Sequence, residues 1–276
     1  MTPALDDRAT LLAVERAAVR AWPAGTTADI DGWRWRHSGG ASQRANSVST
    51  LDFVGADVDR AIADAEARYR ACHYAPRFQT GNASSPSGLE HVLRARGYRL
   101  TESVTTLARS ISTVDAPLGD GVTVTNSATD DWLAVYLAGI SDDRRPAAPV
   151  ILAQIPETRG FVLVRRHGEP IATALGVITD DIVIVECVMT NAAARRTGAA
   201  NLVMQGLEQW AARHGARISA LQAVTSNAPA QGLYTRLGYI ELGRQHFYVL
   251  ERLSTHDNRE QSELARRRLV DDPGSC

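Results

Sequence analysis

Residues 181–213, DIVIVECVMTNAAARRTGAANLVMQGLEQWAAR, predict a strand, a short loop and a helix in that order. Apolar residues, many of them β-branched, run up to Thr190, and a helical pattern begins after Gly198. Gly198, Ala199 and Ala200 remove side-chain bulk where the chain turns, so consecutive backbone N–H groups can point at one anion. We therefore predict a phosphate or pyrophosphate site at this helix start.

The chain has 276 residues, a length that suggests about two domains. Its formal net charge is −1, so no global basic field favours nucleic acid or an anionic membrane surface as a partner. A small molecule is the expected partner. The N-terminal residues carry charges and predict an amphipathic helix over 8–22 rather than a signal peptide or a membrane span.

The cysteines and histidines do not predict a metal site. Cys72, Cys187 and Cys276 are odd in number and lack paired metal spacing, which favours a reducing compartment over a disulfide framework. We expect a cytoplasmic protein. The seven histidines show no ligand spacing either.

Hydrophobic periodicity predicts alternating helices and strands along the chain. Helices are predicted over 8–22, 58–73, 88–97, 130–142, 199–214 and 227–238. Strands are predicted over 32–38, 44–54, 75–80, 99–111, 122–128, 161–166, 171–179, 181–190, 217–224 and 246–253, of which the three from 161 to 190 form an antiparallel meander. The alternation of Trp33 and Trp35 with arginines fits either a base-stacking platform or a half-buried strand, and in a nearly neutral chain we favour the strand.

An internal repeat relates the two halves of the chain. A shift of 141 positions without gaps places Gly97 and Tyr98 on Gly238 and Tyr239. The same shift places the helix around residue 62 on the helix around residue 203. The halves therefore resemble one structural unit used twice, and we predict domains over 1–115 and 121–253 with a mobile tail over 254–276.

The two copies differ at the positions where chemistry is expected. Asp57 stands at the position of Gly198, and Leu93 stands at the position of Tyr234. Because a carboxylate at a helix start fills an anion site from within, the first copy should not bind a phosphate.

The second half resembles the GNAT superfamily of acetyl-CoA-dependent N-acetyltransferases over roughly residues 121–251. One element of the resemblance is Arg195-x-x-Gly198-x-Ala200 between a strand and a helix. The other, about thirty residues later, begins at Asn227 and continues through Tyr234 to Gly238-Tyr239. Each motif is weak alone, but both in this order after a three-strand meander are specific.

The resemblance implies a role for each matching residue. The pyrophosphate of acetyl-CoA would be held by backbone N–H groups from Arg196 to Asn201, with the arginine side chains nearby. Asn227 would contact the pantetheine arm, and Tyr234 would protonate the leaving thiolate. The predicted cofactor-binding residues are Val188, Met189, Thr190, Arg195, Arg196, Thr197, Gly198, Ala199, Ala200, Asn201 and Asn227. In this set, Val188 to Thr190 would pair with the pantetheine amides, and one of their N–H groups would polarise the thioester carbonyl.

A base is also expected, because an amine attacks only when it is unprotonated. Glu186 is the carboxylate in the strand that leads into the anion loop, which we call the signature strand. Apolar surroundings would raise its pKa and make it a more useful base near neutral pH. The alternatives are that Glu186 pairs with an arginine or reaches solvent, and that a water path takes the proton. Cys187 is expected on the opposite strand face as a small buried hydrophobe, which leaves covalent transfer through it a remote alternative.

These observations predict an α/β chain with two GNAT-like units in tandem, each a mixed, mostly antiparallel sheet flanked by helices. The first unit would be degenerate and would cap or shape the acceptor site. The second would transfer an acetyl group from acetyl-CoA to the primary amine of a small molecule, amino-acid-like or antibiotic-like, by direct attack in a ternary complex without a metal. Alternatives are a protein or peptide N-acetyltransferase and a non-catalytic acyl-CoA-binding module. The pattern leaves the amine, the acyl-chain preference and the oligomeric state open.

Overall fold

The computed structural model describes residues 5, 8–40, 42–112, 117–142 and 144–251. The predicted tail at 254–276, Cys276 and part of the predicted domain boundary near 115 lie outside the described residues. The helices are α1 Arg8–Ala21, α2 Val58–Ala71, α3 Leu89–Ala95, α4 Asp130–Gly139, α5 Ala148–Ala153, α6 Ala199–Arg213 and α7 Ala228–Arg236. The strands are β1 Thr26–Ile30, β2 Trp33–His37, β3 Val48–Ser49, β4 Arg77–Gly81, β5 Arg99–Ser110, β6 Val122–Thr125, β7 Arg159–Arg166, β8 Glu169–Thr179, β9 Ile182–Thr190, β10 Ile218–Val224 and β11 Ile240–Val249.

The chain forms two compact units, each assembled from two segments. The larger unit comprises Met1–Ala21 and Thr105–Leu242, and the smaller unit comprises Trp22–Val104 and Gly243–Cys276. The sequence predicts continuous domains, whereas helix α1 groups with the second half and most of β11 groups with the first. Both assignments depend on packing between residues far apart in the chain, which local periodicity does not record.

The larger unit has a mixed sheet with the strand order β5-β10-β9-β8-β7-β6. Strands β7, β8 and β9 form the predicted antiparallel meander, and β10 lies parallel to β9. Helices α6 and α7 share an apolar cluster with residues such as Val162 of β7. The preceding residue, Phe161, contacts Trp132 of α4 instead. Because neighbouring strand residues point to opposite faces, α4 covers the other face of this sheet.

The smaller unit has the strand order β1-β2-β3-β4-β11-β5, with β3 parallel to β4 and β11 antiparallel to β4. Helices α2 and α3 pack on this sheet in one apolar cluster. Trp33 and Trp35 are 0% and 3% exposed, so the strand is the correct interpretation of their alternation with arginines. The strand is more buried than predicted, because Arg36 is also only 2% exposed.

Each unit ends its last helix in the same way, which supports the internal repeat. Gly97 and Gly238 both have positive φ, 88° and 84°, where a left-handed residue ends a helix. The tyrosine that follows each glycine donates its hydroxyl to a glutamate of the preceding long helix. Tyr98 bonds Glu66 at 3.2 Å, and Tyr239 bonds Glu208 at 2.8 Å.

Two local predictions were wrong in part. The strand predicted over 44–54 is restricted to Val48–Ser49, because the Asn46 side chain accepts from the Ser38 and Gly40 amides and stabilises a turn there. The connection predicted over 144–150 contains the start of α5, in which the proline lies in the first turn, where it is tolerated. Among the described residues, none of the helices is long and apolar enough to span a membrane.

Candidate active site

Strands β9 and β10 separate partway along their length. Their parallel register pairs Ile218 with Ile182 and ends with Ala220 opposite Ile184. Both strands continue past this point, β9 to Thr190 and β10 to Val224. Beyond the last pair the register between the two strands ends, and we call the region between their unpaired ends the slot, because an unpaired strand edge can accept another extended chain.

A β-bulge lies in β9 beside this slot. The register with β8 pairs Leu175 with Glu186 and Thr173 with Met189, so Cys187 and Val188 together oppose the single residue Ala174. Cys187 has a φ of 52°, in the left-handed region. A bulge disrupts the ladder locally and leaves backbone groups unpaired. The predicted alternation of Glu186 and Cys187 is therefore interrupted, and Cys187 is half-buried instead of fully buried.

The predicted anion loop follows β9 directly. Arg196 and Gly198 both have positive φ, 59° and 84°, and Gly198 is the N-cap of α6. No carboxylate lies in the first turn of α6. The first-turn amides, which include Ala199, Ala200 and Asn201, have no intrahelical acceptor in an α-helix, so they are available to a ligand.

Two side-chain hydrogen bonds to backbone carbonyl oxygens stabilise this loop. Arg166 donates to the Thr197 carbonyl oxygen at 3.2 Å, and the Thr197 hydroxyl donates to the Ala194 carbonyl oxygen at 2.7 Å. Arg195 and Arg196 are exposed beside it, and in the described part of the chain neither forms an ion pair. Two unpaired cations at the positive end of a helix dipole are unfavourable unless an anion joins them.

The corresponding helix start in the smaller unit carries its own anion. Asp57 is the N-cap of α2, and its Oδ1 accepts from the Arg60 amide at 3.0 Å. Asp59 adds a second carboxylate in the first turn. The Asp57 side chain thus already accepts a hydrogen bond from an amide that a phosphate would need.

Tyr234 of the second motif and Glu186 of the strand before the anion loop are close enough for their charges to interact. Tyr234 is 7% exposed on α7 and Glu186 is 8% exposed on β9. Burial raises the pKa of Tyr234 to about 12, and the negative charge of Glu186 contributes in the same direction. At neutral pH Tyr234 is therefore a protonated hydrogen-bond donor that senses the charge on Glu186.

Asn227 is the N-cap of α7, as its spacing predicts. Its Oδ1 accepts from the Ala230 amide at 3.2 Å, which fixes the start of the helix that carries Tyr234. Asn227 is exposed. Its predicted contact with a pantetheine arm stays a prediction.

A buried polar network holds the end of α7 and was not predicted from the sequence. The Tyr239 hydroxyl contacts Glu208 at 2.8 Å and Ser219 at 2.5 Å, and burial raises the pKa of Glu208. The Tyr239 ring packs against the Tyr234 ring at 5.7 Å between centroids. The sequence signal for this network is the repeated Gly-Tyr pair, Gly97-Tyr98 and Gly238-Tyr239.

A cavity of about 320 Å³ opens beside the loop. It is lined by Arg166, His167, Glu169, Pro170, Ile171, Asn191, Ala193 and Ala194. Among the residues that the structure describes, no group of three or more His, Cys, Asp or Glu side chains could hold a metal ion.

Comparisons with known proteins identify the family of this chain. The family described as "Probable histone acetyltransferase Rv0428c C-terminal" matches residues 9–248. The uncharacterized N-acetyltransferase YobR of Bacillus subtilis (strain 168) is 27% identical over 254 residues, which cover 86% of this chain and 97% of that protein.

Solved structures show the same fold. A GCN5-related N-acetyltransferase from Kribbella flavida has a TM-score of 0.67 at 20% identity, with 92% of this chain and 98% of that chain covered. A tandem GNAT protein from the clavulanic acid biosynthesis pathway has a TM-score of 0.54 at 13% identity, with 72% and 70% covered. Since the family match spans most of the sequence, the chain belongs to the Rv0428c C-terminal family, which is described as an acetyltransferase family, and it has the fold of GNAT proteins.

Proposed function

We propose that the larger unit transfers an acetyl group from acetyl-CoA to the primary amine of a small molecule within a ternary complex. The observation that carries this proposal is the separation of β9 from β10 after Ile184 and Ala220. The pantetheine arm of CoA contains amides that can pair with an exposed strand edge as another strand would. The slot leads directly to the anion loop, whose N–H groups suit the pyrophosphate.

In the proposed reaction, the amine nitrogen attacks the thioester carbonyl carbon and the carbon–sulfur bond breaks. The negative charge that develops on the carbonyl oxygen is stabilised by backbone N–H groups of the segment Val188 to Thr190, which begins in the bulge. Glu186 receives the amine proton, and the departing sulfur receives a hydrogen bond and then a proton from Tyr234.

The electrostatic interaction between Glu186 and Tyr234 would couple the two proton steps. With a pKa of about 12, Tyr234 is too weak an acid for easy transfer to a thiolate, whose thiol has an ordinary pKa of about 8.5. That difference is about 5 kcal/mol uphill. When Glu186 accepts the amine proton, it loses the negative charge that raises the pKa of Tyr234, so Tyr234 becomes more acidic as the sulfur departs.

A second candidate acceptor is a lysine side chain of a protein or peptide. It is favoured by the description of the matched family, which names a histone acetyltransferase. The chemistry at the thioester would be the same, and the acceptors would differ only in what binds around the amine.

An assay of thiol release from acetyl-CoA separates these candidates. The panel would contain amino acids, polyamines, antibiotic amines and lysine-rich histone-tail peptides, with mass spectrometry to identify the acetylated product. We expect saturable release with a small amine. Release with peptides alone would favour the second candidate, and no release with any amine despite acetyl-CoA binding would contradict both.

A further inference from the structure

We propose that Tyr136 of α4 is a positioning residue for this reaction: it holds Cys187 in the left-handed bulge that turns the backbone N–H groups of β9 toward the thioester. The inference rests on the proposed function and adds a residue that neither sequence motif contains. Tyr136 precedes the signature strand by about fifty residues, on a helix that packs against it.

The bulge needs support because its central residue is not glycine. Cys187 has a φ of 52°, and the left-handed conformation is unfavourable for a residue with a Cβ because the Cβ lies too close to the following carbonyl oxygen. Glycine usually takes this position when the first bulge residue is left-handed. A strained residue persists only when its surroundings over-determine its conformation.

Two buried side chains fix Cys187 from different directions. The Tyr136 hydroxyl is hydrogen-bonded to the Cys187 thiol. The Thr173 hydroxyl on β8 donates to the Cys187 carbonyl oxygen at 3.3 Å. Tyr136 is 4% exposed and Thr173 is 0% exposed. Together they fix both the side chain and the carbonyl of the bulged residue.

Helix α4 is itself fixed against the bulge, so Tyr136 has little freedom to move away. Trp132 donates from Nε1 to the carbonyl oxygen of Ala174, the residue that lies opposite the bulge, at 3.1 Å. A methyl group added at Gly139 would lie 2.2 Å from the Met189 sulfur, which shows how closely the helix end approaches β9. Tyr136 lies between these two contacts along the helix.

Loss of the Tyr136 hydroxyl would let Cys187 relax toward an extended conformation. The peptide plane between Cys187 and Val188 would then rotate, and N–H groups aimed at the slot would return toward the ladder. A donor that stabilises the developing oxyanion would be misplaced while the anion loop stays intact. The loss should therefore appear in kcat and spare the KM for acetyl-CoA.

The test uses the single variant Tyr136→Phe and the double variant Tyr136→Phe with Cys187→Gly. We expect Tyr136→Phe to lower kcat by about tenfold to a hundredfold, with the KM for acetyl-CoA changed by less than about twofold. Glycine adopts the left-handed conformation without help, so the double variant should recover most of the lost kcat. Tyr69→Phe is the matched control, since it also removes a buried, hydrogen-bonded tyrosine hydroxyl, and it should keep kcat.

Unchanged kcat in Tyr136→Phe, or a double variant no better than the single one, would overturn the inference. The melting temperatures test it separately from the reaction: adding Cys187→Gly to Tyr136→Phe should raise the melting temperature because glycine relieves the strain. If the wild-type protein acetylates nothing, the proposed function fails, and the order of melting temperatures still decides whether Tyr136 holds the bulge.

Discussion

At the scale of single residues, the proposed reaction depends on two buried groups, Tyr234 and Glu186, whose charges interact. Burial raises the pKa of the Tyr234 phenol, and the negative charge of Glu186, which lies on a different element, adds to that shift. When the charges of a general acid and a general base interact, protonation of the base makes the acid a better proton donor.

Glu186→Gln tests this link. Removal of the negative charge should lower the pKa of Tyr234 below about 12, although burial still keeps it above the ordinary value of 10. A carbon-13 NMR titration of the tyrosine ring carbons would measure the shift, with Tyr234→Phe to assign the signal. The same variant should lower kcat by about a hundredfold and change its pH profile, because the base is lost.

Glu157→Gln, an exposed carboxylate in a loop, is the control for the charge change. It should leave both the titration and the rate unaltered. An unchanged rate and pH profile in Glu186→Gln would exclude Glu186 as the base and leave a water path.

The sequence suggests Tyr234, Glu186 and Gly198 as site residues, because each belongs to a local pattern with a chemical reason, and their roles stay predictions. It does not predict the bulge at Cys187. A bulge of this kind is usually marked by glycine, and here a cysteine takes that conformation through contacts with Tyr136 and Thr173, which are distant in sequence.

At the scale of elements, the starts of two helices carry opposite charge preferences. Helix α6 begins at a left-handed glycine with no acidic residue in its first turn, whereas α2 begins at a capping aspartate. An empty, positive helix start can accept a phosphate, and one already capped by a carboxylate cannot do so without losing its cap.

Gly198→Asp transfers the aspartate of one helix start to the other. Aspartate is among the residues that tolerate a left-handed conformation, and a Cβ atom at Gly198 would meet nothing within 4 Å, so the fold should survive. We expect the affinity for acetyl-CoA to fall by at least about tenfold, because the new carboxylate repels the pyrophosphate. Calorimetric titration would measure it.

Gly88→Asp is the matched control. Gly88 is also the N-cap of a helix, with a φ of 81° against 84° at Gly198, and it too has open space around it. It should leave the affinity for acetyl-CoA unchanged. Equal affinities in both variants would show that the pyrophosphate does not bind at the start of α6.

Most elements are predicted by hydrophobic periodicity, and those missed have weak local signals. Strand β1 is short and partly exposed, and α5 starts within a proline-containing segment. The pairing of β11 with β4 joins residues such as Gln245 and Gly81, whose distance in sequence places it beyond any local pattern.

At the scale of the whole molecule, two units share a plan and differ in chemistry. Both pair two central strands in parallel, β3 with β4 and β9 with β10, and both close a helix with Gly-Tyr bonded to a glutamate. Leu93, 0% exposed, occupies the repeat position of Tyr234, so the smaller unit has an apolar side chain where the larger has its proposed acid. The account therefore assigns acetyl-CoA to the larger unit alone.

Isothermal titration of the full-length protein with acetyl-CoA tests this assignment most directly. One molecule of acetyl-CoA should bind per chain, and Gly198→Asp should weaken that single site. A stoichiometry of two per chain would show that the smaller unit also binds the cofactor. Saturation at one site that Gly198→Asp leaves intact, or no binding at all, would contradict the central claim.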